Sequence, residues 1–442
     1  MTNSTSDLWA KIRQQFDSSP YPTIPLDKSP KNDLDLLYIH NLVTPYYLRN
    51  QKVIDTKDKV ILDAGCGTGY KSLVLAEANP GAKIVGVDIS EESVKLARQR
   101  LEYHGFDNAE FHVLSIYDLP KLNYQFDYIN CDEVLYLFPD IAVALQAMKA
   151  VLKPEGIIRS NLHSSLQRVN IFRAQKVFTL MGLMDGNPED LEIDIVTDIM
   201  KALKDNVNLK ATTWSPGYEG EDRKETILMN YLFQGDKGYT INDIFSALRV
   251  ADLEFIKMTN WRQWDLMNLF KEPDDLPAFL GMSLPEISIE DSLHLFELLH
   301  PIHRLLNFWC GHPQTAPTIV PFSEWTDSDW ENATVCIHPQ FQNPKFKTDL
   351  IACISIGKTF SVRKYLALTE EFVYIDSSMA LCLLPVFDKP LPMMSLVEHW
   401  QKFRPLDPLT AEPTDQVKVF QTLQKLLQVL EDFDCIMLER QS

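Results

Sequence analysis

Val60-Ile61-Leu62-Asp63-Ala64-Gly65-Cys66-Gly67-Thr68-Gly69 is the stretch on which the reading of this chain turns. A short apolar run leads into a loop with glycine at every second position. Glycine lets the backbone turn tightly and lets a ligand approach without a Cβ in the way. A helical stretch follows, Tyr70 to Ala78, stopped by Asn79-Pro80-Gly81. A second buried-strand pattern, Ile84 to Val87, closes on Asp88, 19 residues beyond Gly69. An acid at that distance suits the two hydroxyls of a ribose.

Moving outward, Ser90 is a good helix N-cap, with Glu91 and Glu92 in the first turn where the helix dipole favours them. Val94, Ala97 and Leu101 share one face of that helix, and Gly105 stops it. Phe111 to Ile116 and Phe126 to Cys131 read as further strands, Ala142 to Leu152 as a helix, and Ile157 to Leu162 as the next strand. Such alternation predicts an α/β fold with a parallel sheet and helices on both faces. Beyond His163 the rhythm loosens. Residues 164–236 read as a helical insertion over the mouth of the sheet, followed by a helix at Thr240 to Val250 and a strand at Leu253 to Met258.

The bulk numbers narrow the function. The chain has 442 residues, 45% hydrophobic and 23% charged, more than one core would hold. Its net charge of −19 repels phosphate backbones and anionic lipid, which argues against nucleic acid and membrane partners. Met1 to Gln15 lacks the apolar core of a secretory signal, and no apolar run is long enough to span a bilayer. The seven cysteines are scattered, with none in a CxxC pair, as suits reduced thiols in the cytoplasm.

A nicotinamide site would read GxGxxG or GxGxxA. From Gly65 the third position is Tyr70, and the spacing here is GxGxG with Asp63 two residues ahead. A carboxylate so close would repel a pyrophosphate and welcome a ligand bearing an ammonium and a sulfonium. Charge therefore favours S-adenosylmethionine. Residues 59–163 resemble the class I S-adenosylmethionine-dependent methyltransferases, through Leu62 to Gly69, Val85-Gly86-Val87-Asp88-Ile89-Ser90, Phe126-Asp127-Tyr128-Ile129 and Leu152-Lys153-Pro154-Glu155-Gly156. The resemblance implies a Rossmann-like sheet whose loop (Asp63, Gly65, Cys66, Gly67, Gly69) wraps the methionine part of the cofactor. It implies that Asp88 and Ile89 bind the ribose, that Ser115 and Ile116 flank the adenine, and that Cys131 and Asp132 lie near the transferred methyl. Two departures stand out. Ser115 occupies a place where the family often has an Asp, with Asp118 three residues on, and Leu137 falls where many members carry a His.

Methyl transfer is an in-line displacement with a good leaving group, so positioning supplies most of what the protein adds. Carboxylate acceptors need no base, whereas hydroxyls and ammoniums do. His163, ending the fifth strand, is the first candidate for a base or acceptor-orienting group, against a solvated strand-end histidine. Tyr21, ahead of the domain, is a candidate lid. Arg168 and Arg173 are candidates to grip a substrate carboxylate, and Trp261 to wall an acceptor, with solvated helix face and core packing as the competing roles. His294, His300, His303, Cys310 and His312 lack a CxxC or HExxH companion, and no metal is assigned to them.

The expected organisation is an N-terminal helical segment or lid at 1–58, a methyltransferase domain at 59–265 with its insertion at 164–236, and a helical linker region at 266–317. A C-terminal α+β domain at 318–442 follows, beyond a change of character at Ala316-Pro317. Strands are expected there at Thr334 to His338, Leu350 to Ile356, Phe372 to Ile375 and Ala380 to Val386, then two helices and a strand from Asp434. This order loosely resembles a winged-helix module, read as a docking module for a peptide or protein, a homodimer surface, or a cap on the catalytic domain. The function that follows is transfer of a methyl group from S-adenosylmethionine to an oxygen or nitrogen of a small molecule or peptide. A peptide or protein methyltransferase docking through the tail, and a non-enzymatic S-adenosylmethionine-binding protein, are the alternatives.

Overall fold

A computed structural model of the chain describes residues 11–17, 20–313, 319–342, 344–365, 374–406 and 411–440. The start of the chain to residue 10, the expected boundary at Ala316-Pro317 and the first part of the expected 372–375 strand lie outside the described residues. The fold divides into two compact units, one of 1–29, 58–76 and 81–313, the other of 30–57, 77–80 and 314–442. The segment 1–58, expected as one lid, is thus split. Its later half is built into the second unit.

The first unit is organised by a seven-stranded sheet: β1 Val60–Ala64, β2 Lys83–Asp88, β3 Ala109–Val113, β4 Phe126–Cys131, β5 Leu152–His163, β6 Glu254–Met258 and β7 Leu305–Gly311, in the order β3-β2-β1-β4-β5-β7-β6. Leu62, Val85, Ile129 and Ile158 are wholly buried, because helices cover both faces and the central strands can be apolar throughout. Each such side chain contributes roughly 1.5–3 kcal/mol of burial. The helix Glu91–Tyr103 is capped as its sequence predicts, Ser90 Oγ accepting from the Ser93 N–H, with Val94, Ala97 and Leu101 turned inward.

Two expectations are corrected here. The sheet is mixed, since β7 runs antiparallel to both β5 and β6. The stretch 266–317 is no linker, because it supplies β7, an interior strand of the sheet. Leu306, Phe308, Trp309 and Cys310 are almost completely buried, and a short apolar run of this kind cannot be told from a buried helix by periodicity. The β5–β7 register sets His163 opposite Leu305. Residues 164–236 carry helices Val169–Leu180, Asp190–Ala202, Asn208–Thr213 and Arg223–Asn230, around a core of Phe178, Ile193, Val196 and Tyr231.

In the second unit a three-stranded antiparallel sheet, Leu391–Pro392, Ala333–Ile337 and Ile436–Arg440, packs with helices Met393–Phe403 and Gln416–Asp432 around Trp330, Val335, Leu396 and Leu427. Residues 350–356 and 380–386, expected as strands, are helical. The first lies mainly in the helix Pro344–Ser355, with Phe346 and Leu350 buried one turn apart. The second falls in Ser377–Leu383, which Asp376 caps by accepting from the Ser378 and Met379 N–H groups, and in the 3₁₀ turn after it. The strand-first order behind the winged-helix resemblance is therefore absent at 377–386.

Candidate active site

The glycine loop crosses the carboxyl ends of β1 and β2. The N–H groups of Gly65 and Cys66 both donate to the Val87 carbonyl, at 2.8 and 2.9 Å. Gly67 has φ +50°, and a Cβ there would stand 2.3 Å from the Tyr21 carbonyl oxygen, so only glycine fits. Asp88 is fixed from both sides. Its Oδ2 accepts from the Gly67 N–H at 3.0 Å and its Oδ1 from the Ser90 N–H at 2.9 Å. Burial raises its pKa above the ordinary carboxylate value, against those hydrogen bonds.

In front of the loop lies a cavity of about 300 Å³, mostly apolar in its walls. Gly65, Cys66, Gly67, Asp88, Ile89, Ser115, Ile116, Asp132 and Tyr21 all line it. Ser115 also accepts from the Tyr117 N–H, capping a turn, while Asp118 pairs with Lys121 and does not line the cavity. Leu137 contributes an apolar side chain to the wall.

The strap that carries Tyr21 is stitched to the loop. Thr68 N–H donates to Tyr21 O at 3.1 Å, and Thr68 Oγ1 donates to Pro22 O at 2.8 Å. Arg100, buried beneath, donates to Thr68 O, Pro25 O and Ile24 O at 3.0, 2.7 and 2.7 Å. Burial, then the charge of Glu133, holds the Tyr21 phenol well above its usual pKa. It stays protonated, a hydrogen-bonding group rather than a base.

Three expected cofactor residues stand behind the wall. Asp63 is 1% exposed and its oxygens are taken by Ser72 Oγ at 2.6 Å and Asn130 Nδ2 at 3.0 Å. Burial pushes its carboxyl up to about 6. It braces β1 against the following helix and β4, and does not face a ligand ammonium, because the side chain of a mid-sheet residue points into the helix layer. Gly69 is there for close packing, since a Cβ would meet Ala97 Cα at 2.5 Å. Cys131 is wholly buried and its thiol is pushed up to about 12 by desolvation. Burial also raises the Cys66 thiol, so neither cysteine is a nucleophile.

The candidate acceptor groups separate as sharply. His163 is neither solvated nor in the cavity wall: it is 1% exposed. Its Nδ1 lies 2.6 Å from Asp236 Oδ1, Arg304 Nη1 lies 3.3 Å from its Nε2, and Tyr136 stacks on its ring at 3.9 Å. Both ring nitrogens are engaged, which removes it as a direct base. Arg168 is buried against the same Asp236, at 3.2 Å, instead of facing a substrate carboxylate. Arg173 bonds Asn170 and Asn208 on the helix surface. Trp261 lines a separate groove at the β6 edge, with the Arg262 guanidinium 4.5 Å over its ring. Among the histidines near the end of the domain, His303 stacks on Trp264 and Phe296, His312 lies within hydrogen-bond reach of Leu152 O, and His294 pairs with Glu297.

The sequence reading missed Lys71, Glu133 and Arg304. Lys71 and Glu133 line the cavity. Lys71 Nζ pairs with Asp132 at 2.8 Å, and Arg159 Nη1 and Asn161 Nδ2 reach the other Asp132 oxygen at 3.1 and 2.5 Å. Glu133 adopts φ +57°, unusual for a residue with a side chain, and its N–H donates to Asn161 Oδ1 at 2.8 Å. Its carboxylate is ion-paired to Arg304. Lys71 was within reach of a sequence argument, in the first helical turn after the loop. Arg304 was not, since only the β5–β7 register brings it to this place.

Residues 55–225 match a family model described as a methyltransferase domain. An uncharacterized protein of Synechococcus sp., syc1184_c, is 26% identical over 71% of this chain and 73% of its own length. The ubiquinone biosynthesis O-methyltransferase of Actinobacillus pleuropneumoniae is 34% identical over 24% of this chain, which spans 47% of that enzyme. Among solved structures, PKMT2 from Rickettsia typhi in complex with AdoHcy superposes with a TM-score of 0.56 at 16% identity, covering 91% of this chain and 76% of that one. At that identity the likeness is one of fold.

Proposed function

We propose that residues 55–225, which match a methyltransferase-domain model, act as a class I S-adenosylmethionine-dependent methyltransferase, and that the chain transfers a methyl group to an oxygen or nitrogen of a small molecule or peptide acceptor. When bound, the cofactor supplies an electrophilic methyl on a sulfonium. The observation that carries the reading is Asp88, fixed by the Gly67 and Ser90 N–H groups at the lip of the cavity. A carboxylate so held is preorganised to accept from a pair of hydroxyls, the ribose edge of the cofactor.

The other residues fall into place around it. Ser115 and Ile116 bound the side where a base would lie, and the Gly65–Gly67 backbone leaves room for the amino-acid part. Tyr21, Asp132 and Glu133 also line the cavity, and the acceptor enters beside them. The strap held by Arg100 excludes water from above, and Tyr21 orients the acceptor through a protonated phenol. We place the chain in the cytoplasm. Its seven cysteines are free thiols, and no helix among the described residues is long and apolar enough to cross a membrane.

The test uses the full chain. Calorimetry with S-adenosylhomocysteine should give clear binding, and labelled S-adenosylmethionine should then mark acceptors in a panel of small hydroxyl, carboxyl and amine compounds and a peptide library. Wild-type protein that fails to bind S-adenosylhomocysteine would overturn the reading.

A further inference from the structure

Glu133 is an odd residue to find in a cavity wall. It has a side chain in a left-handed backbone conformation, and its carboxylate is turned to Arg304. Backbone strain of this kind persists only where surrounding bonds impose it. One such bond is visible in the N–H to Asn161. The other is a chain of polar groups that leads from the solvent-accessible Arg304 to the buried side chains of His163, Asp236 and Arg168.

Arg304 immediately precedes β7. The Ser164 N–H donates to the Arg304 carbonyl at 3.0 Å, so this arginine is anchored beside the end of β5. Its guanidinium forks: Nη2 meets Glu133 and Nη1 meets His163 Nε2. A guanidinium has only N–H donors, so His163 Nε2 must offer a lone pair. The proton of the neutral ring therefore sits on Nδ1, where it donates to Asp236 Oδ1. Asp236 is in turn held by Arg168 at 3.2 Å and by Gln175 Nε2 at 2.8 Å, both from the inserted helical segment. The Tyr136 ring, stacked on the imidazole, prevents it from turning.

We propose that Arg304 is the positioning residue of the acceptor wall: it fixes the Glu133 carboxylate at the cavity, and is itself fixed by His163 in the one tautomer that Asp236 allows. The proposal rests on reading the cavity as the methyl-transfer site. Its consequence is that the wall has one working protonation state. Protonated His163 would turn an Nε2–H toward Arg304, two donors and two positive charges face to face, and the guanidinium would be driven off Glu133. The groups facing His163 are Asp236, Arg168 and Arg304, with Tyr136 on its ring. Burial lowers its pKa, against the bond to Asp236, and the two arginines lower it further. The neutral form thus holds at neutral pH. It is lost only as pH falls through a folded value that lies below the ordinary histidine range.

Substitutions at His163 can separate its two nitrogens. Asparagine places an N–H where Nδ1 stands and nothing at Nε2, while glutamine reaches the Nε2 position with an oxygen that can accept from Arg304. Full-length protein saturated with S-adenosylhomocysteine would be followed by hydrogen exchange at the Glu133 amide, read by fragmentation mass spectrometry. At neutral pH, exchange should rise about tenfold in Arg304→Met and His163→Asn and stay within about twofold of wild type in His163→Gln. In wild type the same rise should appear on acidification, after correction for intrinsic rates, and His163→Gln should lack it. Nitrogen NMR of histidine-labelled wild type should show Nδ1 protonated and Nε2 bare. That spectrum tests the tautomer even if a variant fails to fold. Unchanged exchange in His163→Asn, or a ring protonated at Nε2, would overturn the proposal. Failure of the wild type to bind S-adenosylhomocysteine would instead overturn the reading of the site.

Discussion

The two walls of the cavity are assembled in different ways. Gly67, Asp88, Ser115 and Ile116, on the proposed cofactor side, all come from one stretch, 65–116, and are held mainly by bonds from backbone N–H groups of neighbouring segments. On the proposed acceptor side, Tyr21 and Glu133 line the cavity from separate places along the chain, and behind Glu133 stand Arg304, His163 and Asp236, tied by side-chain contacts over long sequence separations. A wall of the first kind is specified by local spacing, so it can be kept across proteins with different acceptors. A wall of the second kind depends on which distant segments are packed against the sheet.

The largest expected effect tests the local wall. Asp88→Ala should weaken S-adenosylhomocysteine binding by about two orders of magnitude in calorimetry, because hydrogen bonds to a carboxylate contribute about 1.5–3 kcal/mol each. An unchanged affinity would mean that the ribose is held elsewhere. Next comes Gly67→Ala. A residue with a side chain in the left-handed region costs about 1–2 kcal/mol, and the new Cβ would strike the Tyr21 carbonyl, so roughly a tenfold loss of affinity should be seen. Arg100→Ala releases the strap at Ile24 and Pro25 and also removes the bond to the loop carbonyl of Thr68. We expect about fivefold faster dissociation of S-adenosylhomocysteine in stopped flow, from the loss of charge-assisted bonds to Ile24 and Pro25. A normal off-rate would show that the strap does not gate the cavity.

The smallest effect separates the two acids that the sequence reading placed at the cofactor, Asp63 and Asp88. Asp63→Asn should bind S-adenosylhomocysteine within about threefold of wild type, since Asp63 braces the loop and does not line the cavity. Its signature lies in stability. The folded carboxyl titrates at about 6, above its unfolded value of 3.8. Its contribution is therefore fully present below about pH 4 and lost as pH rises through 6, by up to about 3 kcal/mol at neutral pH. The asparagine variant should thus gain on wild type in urea melts at pH 7, and the gap should shrink toward pH 4. A gap that does not depend on pH would mean that Asp63 is ionised without cost, and that it faces solvent or ligand.

What could be read in the sequence was whatever depended on near neighbours. The GxGxG spacing, Asp88 at the end of the next strand, the Ser90 cap and the apolar face of the helix after it are each set by residues a turn or a strand apart, where backbone geometry leaves few choices. The tertiary structure alone decided three things: that Asp63 turns into the helix layer while Asp88 meets the cavity, that Leu305–Gly311 is an interior antiparallel strand, and that Arg304 comes to lie between His163 and Glu133. The reason is the same in each case. A side chain's partner across a sheet is fixed by strand order and register, which are set by how all the apolar faces pack together.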